Sequence, residues 1–586
     1  MFAWDVLFLK EGRKIKGRFF FFLLSPFVFS KVYPMSTDEK SKIYGIDLGT
    51  TFSAIAFVNE SGKAEIIPNS DNERIMPSVV FFDSPQNIIV GKVAKESAKT
   101  DPQRVVEFVK RQMGQSWAFQ YEGQDYKPEE ISSYILRRLA NDAEEMGGHV
   151  VRDVVITCPA YFGEVERKAT RIAGELAGLN VVQVLDEPAA AALNYAFSSG
   201  ETDKTIVVYD LGGGTFDVSV VKIEEKNITI ICTDGDHRLG GKDWDDRLIQ
   251  YMVSEFKNQT GIDDDLLADP ETAYDLRMSA ENAKHAFSRK DKYPVKISHE
   301  GESVKMELQR EKFEEITRDL LERTVEFTKS VLQLAREKGV PQIDEFLLVG
   351  GSTRMLQVAR RIEEVFGEEF GISPKSYDVD EAVAKGAAQV GTCEVIRGFL
   401  EQKARETAGK SFDELSEQEQ QKIVDEGTAA FGINQDDFLL LEGTKITKVA
   451  TKSYGIRARK GDSVVVRNMI RRQSPVPAER KETFKTADAN SHALDLIVFS
   501  NNEPGADADI ASSQELGRTI FELPPNLPIH SPIEVTFRLN TEGRLEMTAK
   551  DLTGGKEIQS EFKVDAGMTE AELEAARLRS REIVIE

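Results

Sequence analysis

The sequence predicts a two-lobed α/β domain, followed by an all-β sandwich domain and a short C-terminal helix. Short β-branched runs alternate with amphipathic stretches between residues 42 and 395, which is typical of α/β architecture. Two Asp-Leu-Gly turns, beginning at Asp47 and Asp210, lie 163 positions apart (210 minus 47) and indicate two related halves. After residue 445 the pattern changes to short strands with alternating apolar residues and intervening turns.

Three glycine-containing turns follow apolar strands and carry the main functional signal. We name Asp47–Phe52 the first phosphate turn and Asp210–Asp217 the second phosphate turn, and a third turn covers Gly350–Arg354. Because glycine has no Cβ, the backbone amides of such turns can approach phosphate oxygens closely. A single turn of this kind most often closes an ordinary hairpin. Three turns of related design predict a nucleotide cleft between the two halves.

The elements around these turns alternate between strands and helices. The predicted strands are Ile43–Ile46, Ala54–Val58, Asp153–Thr157, Val181–Leu185, Thr205–Tyr209, Val218–Ile223 and Phe346–Val349. The predicted helices are Glu130–Glu145, Gly163–Ala177 and Phe313–Glu337, with a charged helical block at Asp269–Phe287 before strand-like runs in Lys292–Leu308. This alternation predicts a mixed, largely parallel sheet in each half.

A shift in composition marks residues 396–436 as a helical insert. The capping box formed by Ser416 and Glu419 predicts a short helix that runs to about Asp425. The apolar run Asp437–Glu442 comes next, and we interpret residues 437–448 as an interdomain linker. The alternative is that this run is a strand or helix fragment of the insert.

Residues 449–566 predict an antiparallel β-sandwich, because apolar and polar residues alternate on both sides of the turn at Glu542-Gly543. A second capping box, formed by Thr569 and Glu572, opens a helix within residues 567–586.

Composition argues against several classes of function. The net charge of −24 does not fit a nucleic-acid-binding surface, which needs a basic stripe, and it does not favour anionic membranes. Three scattered cysteines are too few for a disulfide framework or a zinc site, and the six histidines lack metal-ligand spacing. We therefore expect a reducing compartment and a cytoplasmic protein.

The N-terminal residues 1–41 predict an extension before the first strand. Basic residues between 13 and 18 precede an apolar run at 19–29, as in a signal peptide, but this run is too short to span a bilayer. We interpret the segment either as an artefact of an upstream translation start or as a disordered extension. Export or membrane anchoring through residues 13–29 is the alternative.

At the three turns the sequence resembles the 70-kDa heat-shock chaperone family of DnaK type, within the superfamily of actin, sugar kinases and chaperone ATPases. The resemblance covers about residues 42–395 and, less closely, residues 437–569. It implies an actin-like nucleotide-binding domain at 42–395, a substrate-binding β-sandwich at 449–566, and a truncated lid helix at 567–586.

The resemblance implies a site for ATP or ADP with Mg²⁺, and K⁺ is an additional candidate ion. It assigns Mg²⁺, held largely through water, to Asp47, Asp210 and Asp217. It assigns catalysis to Lys110, which places the attacking water, and to Glu187, Thr215 and Asp210. The implied nucleotide-binding residues are Gly49, Thr50, Thr51, Phe52, Gly212, Gly213, Gly214, Thr215, Glu281, Lys284, His285, Ser288, Gly350, Gly351, Ser352, Arg354 and Asp380. His285 departs from the family, which typically has an arginine there.

Further residues are implied to couple the domains and to bind peptide. The implied coupling residues are Pro159, Arg167, Leu439, Leu440 and Leu441, and the implied peptide-binding residues are Ile456, Arg459, Phe484, Ala487 and Leu494. Read from periodicity alone, the apolar members of the second set are core residues. Arg459 stands where the family usually has an apolar residue, and a preference for acidic peptides is the hypothesis that follows.

The expected function is that of an ATP-dependent chaperone, with ATP hydrolysis controlling its affinity for exposed apolar segments of unfolded proteins. The expected partners are these client polypeptides, a J-domain co-chaperone and a nucleotide exchange factor, and neither nucleic acid nor a membrane is expected. Two alternatives are a regulatory or holdase protein that binds ATP with little turnover, and a small-molecule kinase on the same scaffold.

Overall fold

The computed structural model describes residues 42–586, except 202, 462, 487–491, 526, 542 and 563–567. The N-terminal extension with its apolar run 19–29, and the peptide-site residue Ala487, lie outside the described residues. Within the described residues, no helix combines the length and the hydropathy needed to cross a bilayer.

The first lobe is built on a sheet in the order β11-β10-β1-β2-β3, with β4 also paired to β2. Strand β1 is buried and lies parallel to β10 and antiparallel to β2, so the first phosphate turn connects two central strands. The strands are β1 Ile43–Asp47, β2 Phe52–Val58, β3 Ala64–Ile66, β4 Met76–Pro77, β5 Val80–Ser84, β6 Asn87–Val90, β7 Val105–Val106, β8 Phe119–Tyr121, β9 Gln124–Tyr126, β10 Asp153–Cys158 and β11 Asn180–Asp186. The helices are α1 Lys92–Ser97, α2 Pro128–Gly147, α3 Glu164–Leu176 and α4 Glu187–Ser199.

The second lobe repeats this plan, as the two Asp-Leu-Gly turns predicted. Strand β12 lies antiparallel to β13 and parallel to β17, so the second phosphate turn occupies the equivalent position. The strands are β12 Lys204–Leu211, β13 Phe216–Glu224, β14 Asn227–Asp236, β15 Lys292–His299, β16 Glu302–Gln309, β17 Glu345–Val349 and β18 Lys375–Ser376. The helices are α5 Gly241–Thr260, α6 Pro270–Ala286, α7 Arg310–Ile316, α8 Arg318–Glu337, α9 Leu356–Ile362, α10 Glu368–Phe370 and α11 Ala382–Ala408.

Helix α11 packs closely against both the first sheet and helix α4. A Cβ on Gly45 of β1 would lie 2.1 Å from the backbone nitrogen of Ala388, and a Cβ on Gly386 would lie 1.9 Å from the carbonyl oxygen of Ala190. Since real Cβ atoms do not approach backbone this closely, glycine is required at both positions.

Of the predicted insert 396–436, residues 396–408 continue helix α11, and the remainder contains α12 Glu417–Phe431 and the start of α13 Gln435–Gly443. The capping box of Ser416 and Glu419 is confirmed. Helix α12 continues six residues beyond Asp425 (431 minus 425), until Gly432 adopts the left-handed conformation that ends it.

The apolar run 437–442 differs from the linker that we inferred from the sequence. It belongs to α13, which places Phe438 and Leu441 three residues apart on one face. Both side chains are fully buried in a cluster with residues of α11 and α12. The sequence signal was an apolar run between acidic residues, and this run was long enough for a buried helix as well as for a linker. The extended connection to the sandwich instead begins with β19 Lys445–Val449.

The second domain is the expected two-sheet sandwich, with strand orders β25-β21-β20-β24-β26 and β23-β27-β28-β29. Alternate side chains of both sheets fill its core, among them Tyr454 and Ile456 of the first sheet and Val535 and Phe537 of the second. Its strands are β20 Ser453–Lys460, β21 Ser463–Ile470, β22 Pro475–Val476, β23 Ala478–Lys485, β24 Ala493–Asn501, β25 Asp507–Ala508, β26 Gln514–Glu522, β27 Pro532–Leu539, β28 Leu545–Asp551 and β29 Glu557–Phe562.

The C-terminal helix α14 Glu570–Glu582 begins at the predicted capping box of Thr569 and Glu572. It lies on the first lobe, where Arg579 bonds the fully buried carboxylate of Glu130 at 2.7 and 2.9 Å. Strand β30 Val584–Ile585 follows and pairs in parallel with β6. The lid segment therefore contacts the nucleotide-binding domain in this arrangement, whereas the resemblance implied a cover for the sandwich.

The insert supports a first prediction, based on two adjacent leucines. Leu441→Ala should destabilise α12 and α13 by about 2–5 kcal/mol, because Leu441 is fully buried, whereas Leu440→Ala should cost clearly less, because Leu440 is half-buried. Hydrogen exchange of the α12 amides measures the local opening free energy. Equal effects of the two substitutions would contradict the helical packing and favour an extended linker.

Candidate functional site

A cleft of about 1110 Å³ lies between the two lobes. Its wall contains every nucleotide-binding residue inferred from the sequence except Gly214, together with the inferred catalytic residues Lys110, Glu187, Thr215 and Asp210. Of the three inferred metal ligands, Asp47 and Asp210 line the cleft, and Asp217 is buried beside it. The volume slightly exceeds the range of roughly 300–1,000 Å³ that is typical of small-molecule and cofactor sites.

The two phosphate turns face each other across the cleft at very short distance. A Cβ on Gly213 would lie 2.1 Å from Thr51 Oγ1, and a Cβ on Gly214 would lie 2.2 Å from Thr50 Cγ2. Glycine is therefore needed for the lobes to approach, in addition to its role in admitting phosphate. Thr50 Oγ1 is buried and has no hydrogen-bond partner among the described residues, so it is available to an added ligand.

Three carboxylates lie together at the base of the cleft, with Asp217 buried and Asp47 and Asp210 half-buried. Burial, followed by the nearby charge of Glu187, raises the pKa of the Asp47 carboxyl to about 7. The same two causes, in the same order, raise the pKa of Asp210 and of Asp217 well above the ordinary value. Asp217 Oδ1 has no hydrogen-bond partner among the described residues. Such a cluster of oxygen ligands fits a hard divalent cation, because the cation's charge would keep all three carboxylates ionised.

Lys110 and Glu187 form a buried ion pair, with 2.6 Å between Nζ and Oε1. Lys110 comes from a short 3₁₀ helix, Val109–Gln112, which begins after Phe108 in a left-handed conformation (φ 58°). Glu187 is the first residue of α4, directly after β11. This pair stands next to the carboxylate cluster, where a lysine can polarise or place a water molecule that a glutamate also bonds.

The opposite end of the cleft is lined by α6 and the third turn. Lys284 Nζ bonds Asp245 at 2.5 Å, and Arg354 bonds Asp380 at 2.7 Å. Burial, followed by the charge of Lys284, lowers the pKa of His285, which favours the neutral imidazole. A neutral ring can stack on a base but lacks the cation–π contribution of an arginine.

Several residues that hold this site together carry no recognisable signal in the sequence. Lys95 of α1 reaches across the mouth of the cleft to Glu281 of α6, at 2.7 Å. Asp245, the partner of Lys284, is another such residue. These partners lie on separate elements, and nothing in the local sequence marks them as a pair.

A second cavity, of about 730 Å³, lies where the first lobe, β19 and the sandwich meet. Here Arg167 bonds Asp186 at 2.5 Å, and Lys448 of β19 donates to the carbonyl oxygen of Val184 at 3.3 Å. The Glu164 carboxyl lies 3.5 Å from the Tyr454 hydroxyl. A Cβ on Gly543 would overlap the same Glu164 carboxyl. Burial raises the pKa of Glu164 to about 8, although Arg167 opposes the shift.

The inferred coupling residues divide into two groups in the structure. Arg167 lies at this junction, and Pro159 lies in the loop before α3, where its carbonyl accepts from Phe162 N at 3.1 Å. Leu439, Leu440 and Leu441 belong to α13, and Leu441 is buried inside the insert. The connecting role that we assigned to these three leucines falls to β19 in the structure.

Strand β19 extends the sheet of the second lobe towards the sandwich. It pairs in parallel with β14, with Asn227 opposite Lys445, and antiparallel with β22 of the sandwich domain. The Gln473 side chain adds two bonds to the backbone of Thr233, at 2.6 and 3.2 Å, and Arg472 bonds Asp234 at 2.8 Å. The two domains are thus joined by a continuous set of backbone and side-chain hydrogen bonds.

The inferred peptide-site residues occupy different environments. Ile456 is buried in the sandwich core, and Phe484 and Leu494 are half-buried and pack against that core. Arg459 is exposed near the end of β20.

Comparison with known proteins relates this chain to one family. A model of the Hsp70 protein family matches residues 43–122, 117–408 and 413–584. The chain is 37% identical over 528 residues to the chaperone protein DnaK of Thermotoga maritima and to that of Thermotoga petrophila, and each match covers 89% of this chain and 80% of the relative. It is 35% identical over 529 residues to DnaK of Thermosipho africanus, covering 89% of this chain and 79% of the relative.

The close approach of the two phosphate turns supports a second prediction. Gly213→Ala should weaken ADP binding roughly 10- to 100-fold, because its Cβ would displace the Thr51 side chain. Gly212→Ala is the matched control, since the nearest atom to its Cβ is Thr215 O at 3.5 Å, an ordinary contact. Titration calorimetry measures both affinities. Equal affinities of the two variants would show that the turns are not held this closely together.

Proposed function

Because the chain belongs to the Hsp70 protein family, as a DnaK-type member, we infer that it is an ATP-dependent molecular chaperone. The observation that carries this inference is a family match that extends over both the nucleotide-binding domain and the sandwich. We further propose that it hydrolyses ATP and that hydrolysis controls its affinity for exposed apolar segments of unfolded proteins.

The proposed hydrolysis uses the geometry of the cleft floor. Asp47, Asp210 and Asp217 would hold Mg²⁺, and when bound this ion would neutralise phosphate charge and orient the phosphate oxygens. Lys110 Nζ, fixed by Glu187 at 2.6 Å, would hold the attacking water by donating to its oxygen. Glu187 would accept a hydrogen bond from the same water, which sets its direction of attack.

The proposed phosphate contacts come from both lobes. Thr50 and Thr51 of the first turn and Thr215 of the second would donate hydroxyl hydrogen bonds to phosphate oxygens, and the glycines would donate their N–H groups. Because the two turns belong to different lobes, a nucleotide that bonds both of them would favour the closed cleft.

The proposed coupling to the sandwich runs through β19. This strand is bonded to β14 on one side and to β22 on the other, so a movement of the second lobe would act on the sandwich through backbone hydrogen bonds. Coupling requires that ATP bind the docked arrangement better than the separated one. A change in the first lobe would act on the same strand through the charged residues at the junction, which are Arg167, Asp186, Lys448 and Glu164.

The proposed client site is the end of the sandwich near Phe484 and Leu494, where an extended peptide would bond strand edges. The exposed Arg459 would favour peptides with acidic residues. The proposed partners also include a J-domain co-chaperone and a nucleotide exchange factor. The three buried cysteines, which are unpaired, support the proposal of a reducing, cytoplasmic location.

The proposed hydrolysis supports a third prediction. Lys110→Met should reduce single-turnover ATP hydrolysis by roughly 100- to 1000-fold, because it keeps the buried volume but removes the group that holds the water. Binding of ADP should change little. Lys92→Ala is the control, since that side chain is 54% exposed. Normal hydrolysis by Lys110→Met would refute the assigned role, and an absence of hydrolysis in the unmodified protein would favour a holdase.

The buried Glu164 supports a fourth prediction about pH. In the docked arrangement its pKa is about 8, compared with 4.5 for an ordinary glutamate, so docking takes up a proton between these values. The stabilisation of the docked arrangement by protonated Glu164 is complete below about pH 4.5, and it is lost as the pH rises through about 8. Small-angle X-ray scattering should therefore detect a shift towards separated domains between about pH 6 and about pH 9.

Glu164→Gln serves as the control for this pH dependence, because it stays neutral and can still bond the Tyr454 hydroxyl. This variant should remain docked across the same pH range. If its scattering changes with pH as much as that of the unmodified protein, another group is responsible.

A further inference from the structure

Arg111, the residue after Lys110, joins the first lobe to the second phosphate turn. Its Nε donates to the carbonyl oxygen of Gly214 at 2.7 Å, and its Nη2 donates to Asp243 Oδ2 at 2.6 Å. Arg111 belongs to the 3₁₀ helix Val109–Gln112 of the first lobe, whereas Gly214 and Asp243 belong to the second lobe. The arginine and the aspartate are 12% and 23% exposed, so water screens the pair only weakly.

The carbonyl oxygen of each of the three glycines in the second phosphate turn accepts a hydrogen bond from outside the turn. Gly212 O accepts from Gly241 N at 3.0 Å and from Ser352 Oγ at 2.9 Å, and Gly213 O accepts from Lys242 N at 2.8 Å. These two backbone donors belong to the first turn of α5. Arg111 supplies the corresponding donor to Gly214 O, and this donor comes from the first lobe, whereas the turn belongs to the second.

Asp243 fixes the position of the arginine and also caps α5. Its Oδ2 accepts from the backbone N–H of Gly240 at 2.8 Å, which holds the carboxylate at the start of the helix. A Cβ on Gly240 would lie 2.6 Å from the backbone of Gly214, so the helix start and the turn are in direct contact. Arg111, Asp243 and the turn are therefore joined by direct hydrogen bonds and contacts that bridge the two lobes.

We propose that Arg111 is a positioning residue for ATP hydrolysis, acting through Gly214 and Asp243 to set the distance between Lys110 and the second phosphate turn. This inference rests on the proposed hydrolytic function. Lys110 and Arg111 are adjacent, and they point to different lobes: Lys110 bonds Glu187 of the first lobe, and Arg111 bonds the second. A shift of Arg111 relative to the turn would move Lys110, and the water that it would hold, away from the second phosphate turn.

An arginine is required because two acceptors of different kinds must be bonded at once. The planar guanidinium presents several N–H donors in a fixed fork, whereas a lysine ammonium is a point charge on a flexible stem. Among the described residues, Arg111 lies behind the turn and not in the cleft wall, so it acts on the nucleotide through the turn.

The test compares Arg111→Lys, Asp243→Asn and the double variant with the unmodified protein. Asp243→Asn keeps an oxygen for the cap on Gly240 and removes the charge that fixes Arg111. Each single variant should lower single-turnover hydrolysis by about 10- to 100-fold, because small displacements of catalytic groups have effects of this size. ADP affinity should change less than about threefold, and the double variant should be no slower than the slower single variant.

A second readout does not depend on hydrolysis. Spin labels at Val93→Cys in the first lobe and Asp264→Cys in the second report the distance between lobes, since both positions are exposed and the three native cysteines are buried. With ADP bound, the distance distribution should be narrow in the labelled parent and broader in both labelled variants. Independent, multiplicative losses of activity, or unchanged distance distributions, would overturn the proposal. If the unmodified protein does not hydrolyse ATP, the proposed function fails, and the distance measurement still decides whether Arg111 joins the lobes.

Discussion

The structure depends on the close approach of two glycine turns across one cleft. Gly213 and Gly214 lie against Thr51 and Thr50 with no room for a Cβ. The two lobes can therefore meet here only because both turn positions are glycine. The same contact brings carboxylates from both lobes together, and burial, followed by the charge of Glu187, raises the pKa of Asp47 and Asp210. Holding these ionised carboxylates close together in the closed cleft is electrostatically unfavourable, and a bound metal–nucleotide complex would offset this repulsion. Ligand binding would therefore favour lobe closure.

The second organising feature is that the sheet of the nucleotide-binding domain continues into the sandwich domain. Strand β19 connects β14 to β22 by backbone pairing, and backbone pairing has a defined register that side-chain contacts alone do not provide. Helix α14 adds a second attachment, through Arg579 and Glu130 on the first lobe. In this arrangement the sandwich is held from both lobes, so a change in their relative position would act on it from two sides.

The sequence could predict those features whose signals are local. The phosphate turns, the strands beside them and the capping boxes at Ser416 and Thr569 all depend on residues a few positions apart, and the structure contains them. The pairs Lys95–Glu281 and Arg111–Asp243 depend on residues that the chain brings together only by folding. The run Asp437–Glu442 was ambiguous because its apolar residues suit both a linker and a helix, and packing of Phe438 against α12 decides for the helix.

The central claim is that β19 transmits the nucleotide state from the cleft to the sandwich. Hydrogen exchange of the Lys445–Val449 amides, measured with ATP and with ADP plus an extended apolar peptide, tests it most directly. The account predicts strong protection of these amides with ATP and a clear loss of protection with ADP and peptide. Equal protection in the two states would show that the strand does not respond to the nucleotide and would contradict the account.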